Sequence, residues 1–99
     1  MPKENKKQNA AIMFTDIADF THNMSLHEKK SLSFLDEKKS QLTSLVKKYN
    51  GNYIKDIGDG TLTYYKNSND ALKCALELHK VLPKKLGWTL ELVFIMVKS

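Results

Sequence analysis

Two runs of strand-forming residues, 53–57 and 62–65, are separated by Gly58-Asp59-Gly60. Aspartate between two glycines is a tight-turn signal, so the two runs are predicted to fold back on each other as an antiparallel hairpin. The hairpin lies between two segments of helical periodicity, and each of those is bracketed by a further apolar run. With 99 residues the chain has room for one domain. The order strand, helix, strand, strand, helix, strand predicts an α+β domain of ferredoxin-like β-α-β-β-α-β topology, an antiparallel sheet with helices on one face.

The first strand is expected over residues 10–16, where Ala11, Ile12, Met13 and Phe14 are all apolar and Asp16 stands at the end. A short helical turn over residues 18–24 follows. Ser25-Leu26-His27-Glu28 matches a capping box with Ser25 at the N-cap, and a long helix should run from there to about Tyr49. Its apolar stripe reads Leu32, Leu35, Leu42, Leu45, Val46 and Tyr49, interrupted by lysine at position 39. Asn50-Gly51 is a helix stop. Asn67-Ser68-Asn69-Asp70 marks the next helix start, and Ala71, Cys74, Ala75, Leu78 and Leu82 share one face before Pro83 stops it. Residues 84–88 read as a loop, with Trp88 as a packing anchor, and residues 89–97 as a last, almost wholly apolar strand. The domain organisation expected is a disordered basic tail over 1–9 and a domain over 10–99.

Composition narrows the function classes. A single cysteine, Cys74, rules out a disulfide framework within the chain, and its apolar neighbours suit a buried inert thiol. No apolar run approaches the roughly 20 residues of a membrane span. The lysine-rich start lacks the apolar core of a secretory signal, so the expected location is cytoplasmic. The formal net charge of +5 comes from lysine doublets such as Lys29-Lys30, and there is no arginine. Nucleic-acid readers lean on arginine for bidentate base contacts, so no nucleic-acid partner is expected. An RNA-binding reading rests only on Tyr64 and Tyr65 and ranks low.

The acidic residues carry more. In a ferredoxin-like sheet the first strand lies beside the third, which begins just after Asp59. Asp59 is therefore expected beside Asp16, and side-chain alternation puts Lys55, Ile57 and Asp59 to one side. Two carboxylates brought together repel unless something positive lies between them, and Mg²⁺ with phosphate is a natural occupant. A plainer account of the same residues stays open: aspartate is common between turn glycines, and Asp16 would serve as a helix cap. His22, His27 and His79 lack metal-ligand spacing and are expected on helix surfaces.

Phe14-Thr15-Asp16-Ile17, then Phe20-Thr21, then Lys55-Asp56-Ile57-Gly58-Asp59-Gly60 resembles the catalytic domain of the class III adenylate/guanylate cyclases. Asp70-Ala71-Leu72-Lys73-Cys74-Ala75-Leu76 fits the family's following helix, so the resemblance runs from about Ala11 to Leu82. It implies two Mg²⁺ (or Mn²⁺) ions on Asp16 and Asp59, with the Ile17 carbonyl as a further ligand. No catalytic side chain beyond these ligands is implied. It also implies a phosphate cradle from backbone amides at Ala18, Asp19, Phe20 and Thr21. The reaction implied is attack of the ribose 3′-hydroxyl on the α-phosphate, with loss of pyrophosphate. Lys55 falls where adenylate cyclases carry a base-reading lysine and guanylate cyclases tend to carry glutamate. An ammonium can donate to N1 of adenine but is repelled by the N–H at N1 of guanine, so ATP is expected rather than GTP.

The chain departs from the family pattern in its last strand, where Val93-Phe94-Ile95-Met96-Val97 replaces an arginine- and glycine-containing pattern. The family's asparagine and arginine, which stabilise the transition state across a dimer, have no counterpart here. The expectation is a truncated cyclase domain that needs a complementing cyclase chain, is inactive as a homodimer, and has a sticky edge at residues 93–97. The alternative is a non-catalytic cyclase-fold module for regulation or dimerisation.

Overall fold

A computed structural model describes residues 9–82 and 90–98, with side-chain surroundings for residues 10–82. The elements are β1 (Asn9–Ile17), α1 (Phe20–Leu26), α2 (Glu28–Lys48), β2 (Asn52–Ile57), β3 (Gly60–Tyr65), α3 (Ser68–Val81) and β4 (Leu90–Lys98). The sheet order is β2-β3-β1-β4, and every neighbouring pair is antiparallel. This is the ferredoxin-like arrangement, with α1 as a short extra helix ahead of α2. The expected tail over residues 1–8, Pro83, the 84–88 loop with Trp88, and the side chains of residues 93–97 lie outside the described part; Asn9 already belongs to β1.

The period-two pattern of β1 settles which face meets the helices. Ala11, Met13, Thr15 and Ile17 are buried, while Ile12, Phe14 and Asp16 alternate with them on the open face. Ala11, Met13 and Ile17 pack with Phe34, Leu42, Leu45 and Val46 of α2 and Ala71, Cys74, Ala75 and Leu78 of α3. Each large apolar side chain so buried contributes on the order of 1.5–3 kcal/mol. β1 is central: it pairs with β3 from Ala11↔Tyr65 to Thr15↔Thr61, and with β4 from Asn9↔Lys98 to Ile17↔Leu90.

The first helix stop and the second helix start follow the sequence signals. Asn50 takes the left-handed conformation at φ 58. Gly51 N–H then donates to Val46 O at 2.8 Å and Asn50 N–H to Lys47 O at 3.2 Å, the paired bonds of a Schellman stop. Asn67 caps α3, its side chain accepting from the Asp70 N–H at 2.9 Å. Cys74 is buried, with the Tyr65 hydroxyl donating to its sulfur at 3.1 Å, and burial pushes the thiol pKa up.

Two expectations about α2 are corrected. Ser25 is not its N-cap: α1 extends to Leu26, and the Ser25 hydroxyl donates back to His22 O at 2.6 Å. His27 joins the two helices instead, its N–H donating to Asn23 O at 2.7 Å and its carbonyl accepting from Ser31 N–H at 2.9 Å. Ser25 lies inside α1, two residues ahead of the position that precedes α2, so its hydroxyl is not placed to accept from the first turn of α2. The stripe is also shifted in its first half. The buried positions are Ser31, Phe34, Lys38, Leu42, Leu45 and Val46, whereas Leu32 is 43% exposed. The lysine in the stripe is therefore Lys38; Lys39 points outward to an ion pair with Asp56 at 3.5 Å.

Candidate functional site

The end of β1, the β2–β3 turn and the start of α1 meet at one end of the sheet. The ladder between β1 and β3 stops at Thr15↔Thr61, which leaves Asp16 just past its end. On the other strand the turn is made by Gly58 and Asp59 alone, with Ile57 paired to Gly60. Gly58 adopts φ 62, a conformation glycine reaches without steric cost. Gly60 is needed for a different reason: a Cβ there would come within 2.2 Å of Phe14 Cζ. The bare backbone lets the Phe14 ring lie over the start of β3, and so lets the two strands approach where they carry their carboxylates.

Asp16 and Asp59 do come together. The Ile17 N–H donates to Asp16 Oδ1 at 2.8 Å and to Asp59 Oδ2 at 3.2 Å. The two carboxyl groups are within hydrogen-bonding reach of each other, and that bond raises the Asp16 pKa from 3.8 to about 6. Burial and the negative charge of Asp59 act in the same direction, against the Ile17 amide and the charge of Lys38. Among the described residues no group of three or more His, Cys, Asp or Glu side chains converges, so this site offers a carboxylate pair and not a closed protein cage.

Beneath the pair lies Lys38, fully buried. Its ammonium donates to Thr15 O at 3.1 Å, to Asp59 O at 2.9 Å and to Thr61 Oγ1 at 3.4 Å. Burial lowers its pKa to about 8, while the charges of Asp59, Asp16 and Asp56 hold it from falling further. The Thr61 hydroxyl in turn donates a hydrogen bond to Asp56 Oδ1 at 3.0 Å, and the Tyr53 hydroxyl also donates to that carboxylate. The Tyr53 bond holds the Asp56 carboxyl below its ordinary pKa.

An open cleft of about 520 Å³ is lined by Asp16, Ile17, Asp19, Phe20, Thr21, His22 and Asp59. Six of these are sequence candidates. His22, expected only on a helix surface, takes its place because α1 turns its first exposed residues into the cleft. Ala18 is half-buried and is not in the lining. Asp19 sits at the start of α1 with φ 55 and makes no capping bond through its side chain. The first-turn amides of Phe20, Thr21 and His22 have no partner within a helix.

Lys55 is exposed and lies outside the cleft lining. Its face is set by an irregularity that strict alternation misses. Tyr53 pairs with Thr63 and Lys55 with Leu62, so Ile54 is an extra residue, a β-bulge. The bulge puts Lys55 on the open face shared with Phe14 and Asp16, opposite Tyr53 and Asp56. The expectation that Lys55 and Ile57 share a face holds, since the shift occurs before both.

A family model described as the adenylate and guanylate cyclase catalytic domain matches residues 2–95. The chain belongs to that family. Its fold is also that of solved cyclases. An adenylate cyclase from Trypanosoma brucei in its monomeric state shares 25% identity over 80% of this chain and 34% of that one, with a TM-score of 0.70. The adenylyl cyclase CyaB from P. aeruginosa shares 14% over 94% of this chain and 58% of that one, with a TM-score of 0.73. The guanylate cyclase domain of RhGC from Catenaria anguillulae, solved in complex with GTP, shares 18% over 94% and 59%, with a TM-score of 0.74. The chain thus spans between about a third and three fifths of the length of these cyclases. A search of curated proteins finds no match. No helix among the described residues is long and apolar enough to cross a membrane.

Proposed function

We propose that this cyclase-family domain supplies the metal and phosphate half of a nucleotide cyclase site, with Asp16 and Asp59 as the carboxylate ligands and ATP as the substrate. The observation that carries the reading is the meeting of the two carboxyl groups at the mouth of the cleft. A pair this close retains a proton that isolated carboxyls lose, and a divalent cation would take that proton's place. Two carboxylates with room for phosphate oxygens suit Mg²⁺ or Mn²⁺, which seldom fill their coordination from protein alone. The bound cations would supply Lewis acidity at the phosphoryl oxygens and ease loss of the hydroxyl proton.

The chain's own residues account for the rest. Ile17 N–H orients both carboxylates. The uncapped first turn at Asp19, Phe20 and Thr21 offers backbone N–H groups to the outer phosphates, with Ala18 shaping the approach and the Ile17 carbonyl as a further oxygen donor. Lys55, on the same face as Asp16, would donate to N1 of adenine. The reaction so assembled is attack of the ribose 3′-oxygen on the α-phosphorus. A new P–O bond forms as the bond to the bridging oxygen breaks, giving cyclic AMP and pyrophosphate.

These 99 residues hold no arginine, so an arginine donor for the transition state has to come from another segment or chain. The test is to combine the protein with a cyclase half that carries the asparagine and arginine, add Mn²⁺ and ATP, and assay cyclic AMP. Product is expected, Asp16→Ala and Asp59→Ala abolish it, and Lys55→Glu shifts preference toward GTP. No product together with no metal-dependent ATP binding overturns the proposal. A second reading, a regulatory module of the same fold, is favoured by the missing arginine. It is distinguished by binding to an intact cyclase with no metal-dependent nucleotide binding.

A further inference from the structure

We propose that Lys38 is a positioning residue that sets the separation of the two carboxylates by tying together the backbones that carry them. The inference rests on the reading of Asp16 and Asp59 as cation ligands.

A lysine ammonium has three N–H donors, and here each has an acceptor: Thr15 O, Asp59 O and Thr61 Oγ1. Thr15 immediately precedes Asp16, and Asp59 is the other carboxylate residue. One side chain from α2 therefore grips the end of β1, the hairpin turn and the start of β3 together. Burying a lysine completely is costly, and the cost is tolerated only when every donor is used. Phe34 and Leu42, one turn to either side on the same helix face, are ordinary core residues. An apolar side chain at position 38 would fill the stripe without that cost. What it could not do is bond two carbonyls lying next to the cleft. From the opposite side the Ile17 N–H clips the carboxylate oxygens. The two devices are complementary, since one fixes the backbones and the other the side-chain ends.

Loss of Lys38 has opposite consequences under positioning and under simple charge repulsion. A buried positive charge near a cation site should weaken cation binding, so removing it should tighten binding. If Lys38 positions the ligands, removing it weakens binding. Partners that orient metal ligands typically change affinity by about 10–100-fold when lost.

The experiment measures Mn²⁺ affinity of the full 99-residue chain by electron paramagnetic resonance, and the Ile17 amide resonance of the metal-free protein by NMR. Lys38→Met keeps the length and apolar stem but loses charge and donors. It is expected to bind Mn²⁺ at least about tenfold more weakly and to shift the Ile17 amide. Lys38→Arg, which retains charge and donors, is expected to recover most of the affinity. Leu42→Ala, a core truncation on the same helix, is the control for mere destabilisation and should leave the affinity of the folded protein unchanged. If Lys38→Met does not fold, Lys38→Gln takes its place with the same expectations. Unchanged or tighter Mn²⁺ binding in the neutral variant overturns the proposal. If the parent protein binds no Mn²⁺, the cation reading fails, and the Ile17 amide alone decides: a resonance unmoved by loss of the ammonium overturns the positioning role.

Discussion

Gly60→Ala tests whether close approach of β1 and β3 depends on an absent side chain. The added Cβ would lie 2.2 Å from Phe14 Cζ, 2.7 Å from Cε1 and 3.1 Å from Cε2. Carbon atoms in contact settle at about 3.5–4.0 Å, so the ring or the strand must move by more than about 1 Å. Gly60 is not among the residues with positive φ, so alanine brings no backbone strain and the whole effect is this contact. Phe14 lies on the open face and has two side-chain torsions, so the cheaper response is for its ring to swing away. That forfeits the ring's packing and puts the cost at about 1–2 kcal/mol, the lower part of the overpacking range. For a domain of this size the melting temperature should fall by roughly 4–16 °C. Thermal unfolding followed by circular dichroism reads it. Phe14→Leu in the same chain should return part of the loss, a coupling that a double-mutant cycle isolates. A melting temperature within about 2 °C of the parent, or no recovery in the double variant, refutes the reasoning.

Other outcomes follow from the same geometry. Gly58→Ala meets no atom within 4 Å but must adopt φ 62, so it should lose about 1 kcal/mol, measured by denaturant unfolding. Asn67→Ala removes the cap on Asp70 N–H and should lose about 1 kcal/mol in the same assay. The metal-free protein should lose stability as pH rises through about 6. The folded state holds a proton on Asp16 up to about 6, the unfolded chain releases it near 3.8, and so stability is greatest below the lower value. Asp16→Asn should flatten that dependence in melts taken between those pH values, and an unchanged slope would count against the shared proton.

The hairpin, the Asn50 stop, the Asn67 cap and the α3 face were legible because each rests on a local signal of a few residues. The meeting of Asp16 with Asp59 was legible because topology, once set by element order, places the first strand beside the third. Lys38 was not. Counting apolar residues assigns a lysine to the surface, and only the acceptors supplied by two distant strands make its burial tolerable. The face of Lys55 was legible only in part, since an extra residue at Ile54 leaves no trace in an alternation pattern. Ser25 misled for a related reason: the capping-box spacing was present, but α1 runs on through Leu26 and leaves His27, not Ser25, at the start of α2.

The central place of β1 has a bearing on how the protein is made. The segment that carries Asp16 leaves the ribosome before either of its two neighbours, and β4 is made after all the other described strands. Until then a long row of its amides and carbonyls stands open to any passing chain. A newborn copy is therefore most vulnerable to mispairing along the edge that ends beside its acidic pair, and a chaperone that shielded that edge would be guarding the nascent site as well as the sheet.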